Sequence, residues 1–173
     1  MTAYLVVGAE SSGTKLMTSI LVRAGCQGTD GYPQEWDAGI EAILWGNVHR
    51  FVWRRSIPYA GMWPDLYGMV SDCRAKSHFV QIIWMTRDWH AAAQSQVKHG
   101  HVPTLEAARA NLQIAHSRTA SQLIQCSPQA AYVMVNFESL ITRPRPVLDW
   151  VGAWIGLPLP DVEIRDENAK WLI

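Results

Sequence analysis

The chain has no excess of either charge, few cysteines and no long apolar run, and each shortage removes a class of function. Its 173 residues carry 15 Lys and Arg against 15 Asp and Glu, for a formal net charge of 0. A balanced chain has no bulk attraction for nucleic acid or an anionic membrane, so any anion recognition must be local. The expectation is a small anionic ligand, with no nucleic acid and no membrane as partner. Cysteine occurs only as Cys26, Cys73 and Cys126, scattered and without metal-ligand spacing, which suggests neither a disulfide framework nor a zinc site. No window approaches the roughly 18 apolar residues of a membrane span, and no basic segment leads an apolar one at the N-terminus. The expected setting is soluble, reducing and cytoplasmic. The length suits one domain, residues 1–173, with a substantial core. Nine tryptophans are many for that length, and most are expected inside it, some lining a pocket for a purine or a sugar face.

What is present is organised around Tyr4 to Ala24. The apolar run Tyr4-Leu5-Val6-Val7 leads into Gly8-Ala9-Glu10-Ser11-Ser12-Gly13-Thr14-Lys15, and Leu16, Met17, Ile20, Leu21 and Ala24 follow at helical spacing. The pattern reads as strand, glycine-containing loop, helix. Such a turn aims unpaired N–H groups and the positive end of the helix dipole at one spot, which suits a phosphate or sulfate oxygen. The plain alternative is a Gly/Ser-rich turn with no ligand. It is not a Walker A loop, which places lysine directly after the second glycine, because here the order is Gly13-Thr14-Lys15.

Further along, Thr29 to Asp37 is polar loop, Asp37 is a cap for a short helix with Ile40, Ile43 and Leu44, and Arg50 to Arg54 is strand-like. Leu66, Met69, Val70 and Cys73 share one helical face. Phe79 to Met85 is nearly all apolar, as in a strand buried on both sides within a parallel sheet. Asp88 caps a helix over Trp89 to Val97, a longer helix runs from Thr104 to near Ser127-Pro128, Tyr132 to Phe137 is a buried-type strand, and Pro146 to Gly156 is helical. The segment from Leu157 reads as irregular. Alternating strands and helices predict an α/β three-layer domain with a largely parallel sheet.

Ser12-Gly13-Thr14 resembles the 5′-phosphosulfate loop of the sulfotransferases that use 3′-phosphoadenosine 5′-phosphosulfate (PAPS). The family's basic loop residue falls at Ser11, a departure that makes Lys15 the nearest replacement. A second block, Ile82-Ile83-Trp84-Met85-Thr86-Arg87-Asp88 with Ser95 eight positions after Arg87, resembles the strand and helix with which these enzymes bind the 3′-phosphate. A guanidinium fork plus a hydroxyl in the first turns of a helix is sound chemistry for that task. A third, Tyr132 to Leu140 with Pro144 and Ile155-Gly156-Leu157-Pro158, is similar to the family's late strand, Glu-x-Leu, proline and helix. The resemblance implies a P-loop NTPase-like fold, with Ser11, Ser12, Gly13, Thr14, Lys15, Arg87 and Ser95 against the cofactor. Asn168-Ala169-Lys170 resembles the tails of shorter bacterial or phage-type members, which implies a cofactor or acceptor role for Lys170.

Sulfuryl transfer asks for an aligned acceptor, a base and fixed donors for the migrating charge, and requires no metal. Arg54 stands where the cytosolic branch has a catalytic lysine, but Ser56 occupies the place of its base. Glu35, after the first helix as in the carbohydrate branch, is the first choice of base and His49 the second. His99-Gly100-His101 has no third ligand in sight and reads as an exposed loop. The function implied is transfer of a sulfuryl group from PAPS to a hydroxyl or amine of a small molecule or glycan. The alternatives are a P-loop small-molecule kinase using ATP and magnesium, disfavoured by the loop order, and a non-catalytic nucleotide-binding module. Neither the acceptor nor the oligomeric state is written in the sequence.

Overall fold

The computed structural model describes residues 1–28, 49–58, 61–166, 168 and 169. Four strands, β1 (Thr2–Ala9), β2 (Arg50–Ile57), β3 (Phe79–Thr86) and β4 (Ala130–Asn136), form one parallel sheet in the order β2-β1-β3-β4. β1 is central, with Leu5 opposite both Trp53 and Ile82. Six helices accompany the described strands: α1 (Thr14–Arg23), α2 (Leu66–Ala75), α3 (Trp89–Lys98), α4 (Leu105–Cys126), α5 (Phe137–Thr142) and α6 (Pro144–Ile155). The short helix expected after Asp37 lies outside the described residues.

The period of two along each strand sorts the core into two halves. Ala3, Leu5, Val7, Val80 and Ile82 face α2, α3 and α4, whose Leu66, Met69, Ala92, Ala108 and Leu112 cover them. Tyr4, Val6, Ile83 and Met85 face α1, α5 and α6, packed under Met17, Ile20, Leu21, Leu140, Leu148 and Val151. With apolar residues required on both faces, β1 and β3 read as continuous apolar runs, as parallel strands inside a layered fold do.

Two expectations are corrected. The last strand runs from Ala130 to Asn136 rather than Tyr132 to Phe137, and it is an edge strand: Tyr132 and Met134 are exposed. Asn136 stops it by accepting from Ser139 N at 2.9 Å, which caps α5 and puts Phe137 in that helix. The tryptophans are enclosed less fully than expected: of the six described, Trp53 is buried, Trp63, Trp84 and Trp154 are half-buried and packed against the core, and Trp89 and Trp150 are exposed.

Candidate functional site

Every described helix but one opens on a side-chain cap or a proline. Asp65, Asp88, Thr104 and Asn136 each accept from an amide three residues on, and α6 begins with Pro144. The exception is α1, whose N-cap is Gly13 and whose first turn holds no acidic residue. Its first helical bond runs from Met17 N to Gly13 O at 3.2 Å, so the amides of Thr14, Lys15 and Leu16 have no acceptor within the helix. Ser11 and Gly13 both have positive φ, 68° and 91°, and fold the loop back on itself, with Ser12 N donating to Ala9 O at 3.1 Å. Backbone curled in this way presents successive N–H groups inward, the arrangement that holds an anion. Gly8 allows the loop to close: a Cβ there would strike Met85 O and Ser12 Oγ. Ser12 is 2% exposed, and its Oγ has no hydrogen-bond partner.

The loop lies at the carboxyl end of the central strand, where the chain reverses its direction of travel across the sheet. β1 is followed by β2 on one side and β3 on the other. The residues after β1 enter α1 on one face of the sheet, and those after β3 enter α3 on the opposite face. A crevice opens between two such loops, and open α/β sheets bind ligands there.

Arg87, just past the end of β3, is bonded to the loop that follows β1. It is 8% exposed, its Nη1 donates to Ser11 O at 2.9 Å, and its guanidinium lies 4.8 Å from the Phe137 ring centroid. Its Nε donates to Asn168 Oδ1 at 2.7 Å. Asn168, 4% exposed, donates in turn from Nδ2 to Glu138 Oε1 at 2.6 Å. Glu138 Oε1 also accepts from Asp88 N at 3.0 Å, and its Oε2 accepts from Asn136 Nδ2 at 2.7 Å. Thus the loop, the end of β3, the start of α5 and the C-terminal segment meet at one guanidinium.

α3 supports the other side of the loop. Its Gln96, wholly buried, donates from Nε2 to Glu10 O at 2.9 Å, and the adjoining Ser95 is also buried. Glu10 Oε2 stands 3.8 Å from His101 Nδ1, so the His99-Gly100-His101 loop, exposed as expected, reaches back to Glu10.

The structure therefore brings Ser11, Ser12, Gly13 and Thr14 together with Arg87, and sets Ser95 on the buried side of the helix that braces them. Lys15 is exposed on the first turn of α1. Arg54 is half-buried and lies beside Val6, two positions before the residue that pairs with Gly8. His49 is not brought to the loop: its carbonyl accepts from Thr2 N at the opposite end of β1, about 25 Å of strand away. Glu35 and Lys170 lie outside the described residues.

In the sequence, Glu138 stands only in the block that resembles the family's late strand and helix, Asn168 only in the tail resemblance, and Glu10 only as a member of the glycine-containing loop. Spacing cannot show that a residue 81 positions away returns to Arg87. No protein-family model matches the chain, and no curated protein matches it in sequence.

Proposed function

We propose that this chain is a sulfotransferase of P-loop NTPase-like fold that uses PAPS and acts on a hydroxyl or amine of a small molecule or glycan. The observation that carries the reading is the contact between Arg87 and Ser11 O, 2.9 Å long, which joins the two stretches expected to bind anions. The donor set suits a nucleotide with phosphate at both ends. The amides at the start of α1 and the unpartnered Ser12 hydroxyl would hold the 5′ end, and Arg87 with Ser95 the 3′-phosphate. When bound, PAPS supplies an activated sulfuryl group, transferred as the acceptor oxygen or nitrogen attacks sulfur and the bond to the 5′-phosphate breaks.

For this chemistry the chain's own residues must orient and neutralise rather than bond covalently. Backbone donors fixed by Ser11 and Gly13 need no reorganisation as charge shifts toward the leaving phosphate. Arg87, assigned to the 3′-phosphate, also fixes the shape of the loop through its bond to the Ser11 carbonyl, and the exposed Lys15 is left to supply the charge of the family's basic loop residue. The acceptor's proton requires a base, and the acid–base pair bordering the loop among the described residues is Glu10 with His101.

Thermal unfolding with ligand tests the reading. At a hundredfold excess over its Kd, 3′-phosphoadenosine 5′-phosphate (PAP) is expected to raise Tm by about 5 to 10 °C. ATP with magnesium should do much less. An equal or larger shift with ATP and magnesium would assign a kinase instead, and PAP binding without transfer of labelled sulfuryl to any hydroxyl or amine acceptor would assign a non-catalytic module.

A further inference from the structure

The C-terminal segment does more than cover the fold. Asp166 Oδ1 accepts from Asn168 N at 2.9 Å and from Ala169 N at 3.3 Å, which fixes the backbone that carries the Asn168 side chain. Its amide then bridges two side chains, its Oδ1 accepting from Arg87 Nε and its Nδ2 donating to Glu138 Oε1. Glu138 is itself fixed by Asp88 N and Asn136 Nδ2. The order of these bonds is directional: fixed backbone and Asn136 hold Glu138, Glu138 fixes which end of the Asn168 amide faces Arg87, and Asn168 fixes Arg87.

A guanidinium is a rigid planar fork, so holding it at Nε and Nη1 sets its plane and stops the side chain from swinging. On Phe137 it also has a ring against one face. Arg87, Asn168 and the Phe137 ring are all buried, so these contacts are made with little competition from water.

We infer that Glu138 and Asn168 are positioning residues that aim Arg87, and that they set the preference of the site for a nucleotide carrying a 3′-phosphate. The inference rests on the sulfotransferase reading of the crevice and adds that a residue of the C-terminal segment governs discrimination at it. A merely structural tail contact would, when lost, weaken all nucleotides alike. A positioning contact would weaken only the ligand whose 3′-phosphate Arg87 meets.

The test compares two probes that differ only in that phosphate, PAP and AMP, by titration calorimetry on the wild type, Asn168→Ala and Glu138→Gln. Loss of one charge-assisted contact should lower PAP affinity about tenfold in Asn168→Ala while AMP affinity stays unchanged. Glu138→Gln, which cannot accept all three of its hydrogen bonds, should shift the ratio in the same direction. In parallel, the Arg87 Nε–H resonance should exchange with water faster in Asn168→Ala than in the wild type. A wild type that prefers PAP together with variants that keep the same preference overturns this inference and leaves the sulfotransferase reading standing. A wild type that binds PAP and AMP equally overturns both.

Discussion

Arg87 Nη1 donates to the carbonyl oxygen of Ser11 at 2.9 Å, joining residues 76 positions apart. The bond uses the backbone of the loop, not a side chain, so it constrains loop shape whatever residue stands at position 11. Loop shape and guanidinium orientation are therefore coupled, and changes on either side should be felt by the other.

Gly13→Ala tests the loop. Gly13 has φ of 91°, and a Cβ there would approach Phe137 Cδ2 to 2.6 Å. The left-handed backbone and the clash with the ring that Arg87 rests on each disfavour alanine, together by roughly 2 to 4 kcal/mol. Chemical denaturation should show a lower midpoint, and PAP binding should fall below detection even where the variant is fully folded. Wild-type affinity in Gly13→Ala would show that the loop does not hold the ligand.

Ser12→Ala should move stability and binding in opposite directions. The Ser12 hydroxyl is buried and without a hydrogen-bond partner. Removing an unsatisfied buried polar group is neutral to stabilising, by up to about 1 kcal/mol. If that hydroxyl instead serves an anion in the crevice, its loss costs PAP affinity by roughly threefold to tenfold. A Tm that falls together with unchanged affinity would reassign Ser12 to the fold alone.

The sequence made the layers legible because their cause is local. β1 and β3 are apolar on both faces, and α1, α2, α3 and α4 carry one buried stripe each, so pattern and burial agree. The loop was legible for the same reason, since Gly8 and Gly13 mark a close approach and a positive φ that few other residues supply. What the sequence could not show is pairing across distance. β4 looked buried because Tyr132, Val133, Met134 and Val135 are all apolar, yet an edge position leaves one face uncovered. Likewise Glu138 and Asn168 are separated by 30 positions and belong to different elements, and only the fold makes them neighbours of Arg87. His49 was chosen by type and approximate place, and the direction of β2 carries it to the far end of the sheet.

The three cysteines should be silent in the native protein. All are free and buried, and burial raises the thiols of Cys26 and Cys126 to about 11 and that of Cys73 to about 12. Since the thiolate is the reactive form, a disulfide reagent at pH 8 should titrate none of them until the chain unfolds, and then all three. Fast release of one equivalent from the folded protein would contradict the burial described for that cysteine.

The last prediction concerns acid stability and rests on His78. The ring is wholly buried at the start of β3, edge-on to Phe51 with centroids 5.3 Å apart, and neither ring nitrogen has a hydrogen-bond partner. Burial, and secondarily the nearby N-terminal amino group, holds its pKa below the ordinary value of about 6.5. Unfolding releases that constraint, so below pH of about 6.5 the unfolded chain binds a proton that the native chain resists. The sign follows: the native state is favoured above the unfolded pKa, and stability is lost as pH falls from there toward the lowered native value. His116, packed between Trp84 and Trp89 and also lowered by burial, adds a loss of the same sign. Denaturation midpoints should hold from pH 8 to 7 and decline between pH 6.5 and 5. His78→Leu should flatten much of that decline, leaving the part due to His116, and should raise stability at pH 7 by about 1 kcal/mol, since an apolar side chain replaces an unsatisfied buried polar one. A variant whose midpoint falls with pH as steeply as the wild type would show that His78 is not the group that titrates.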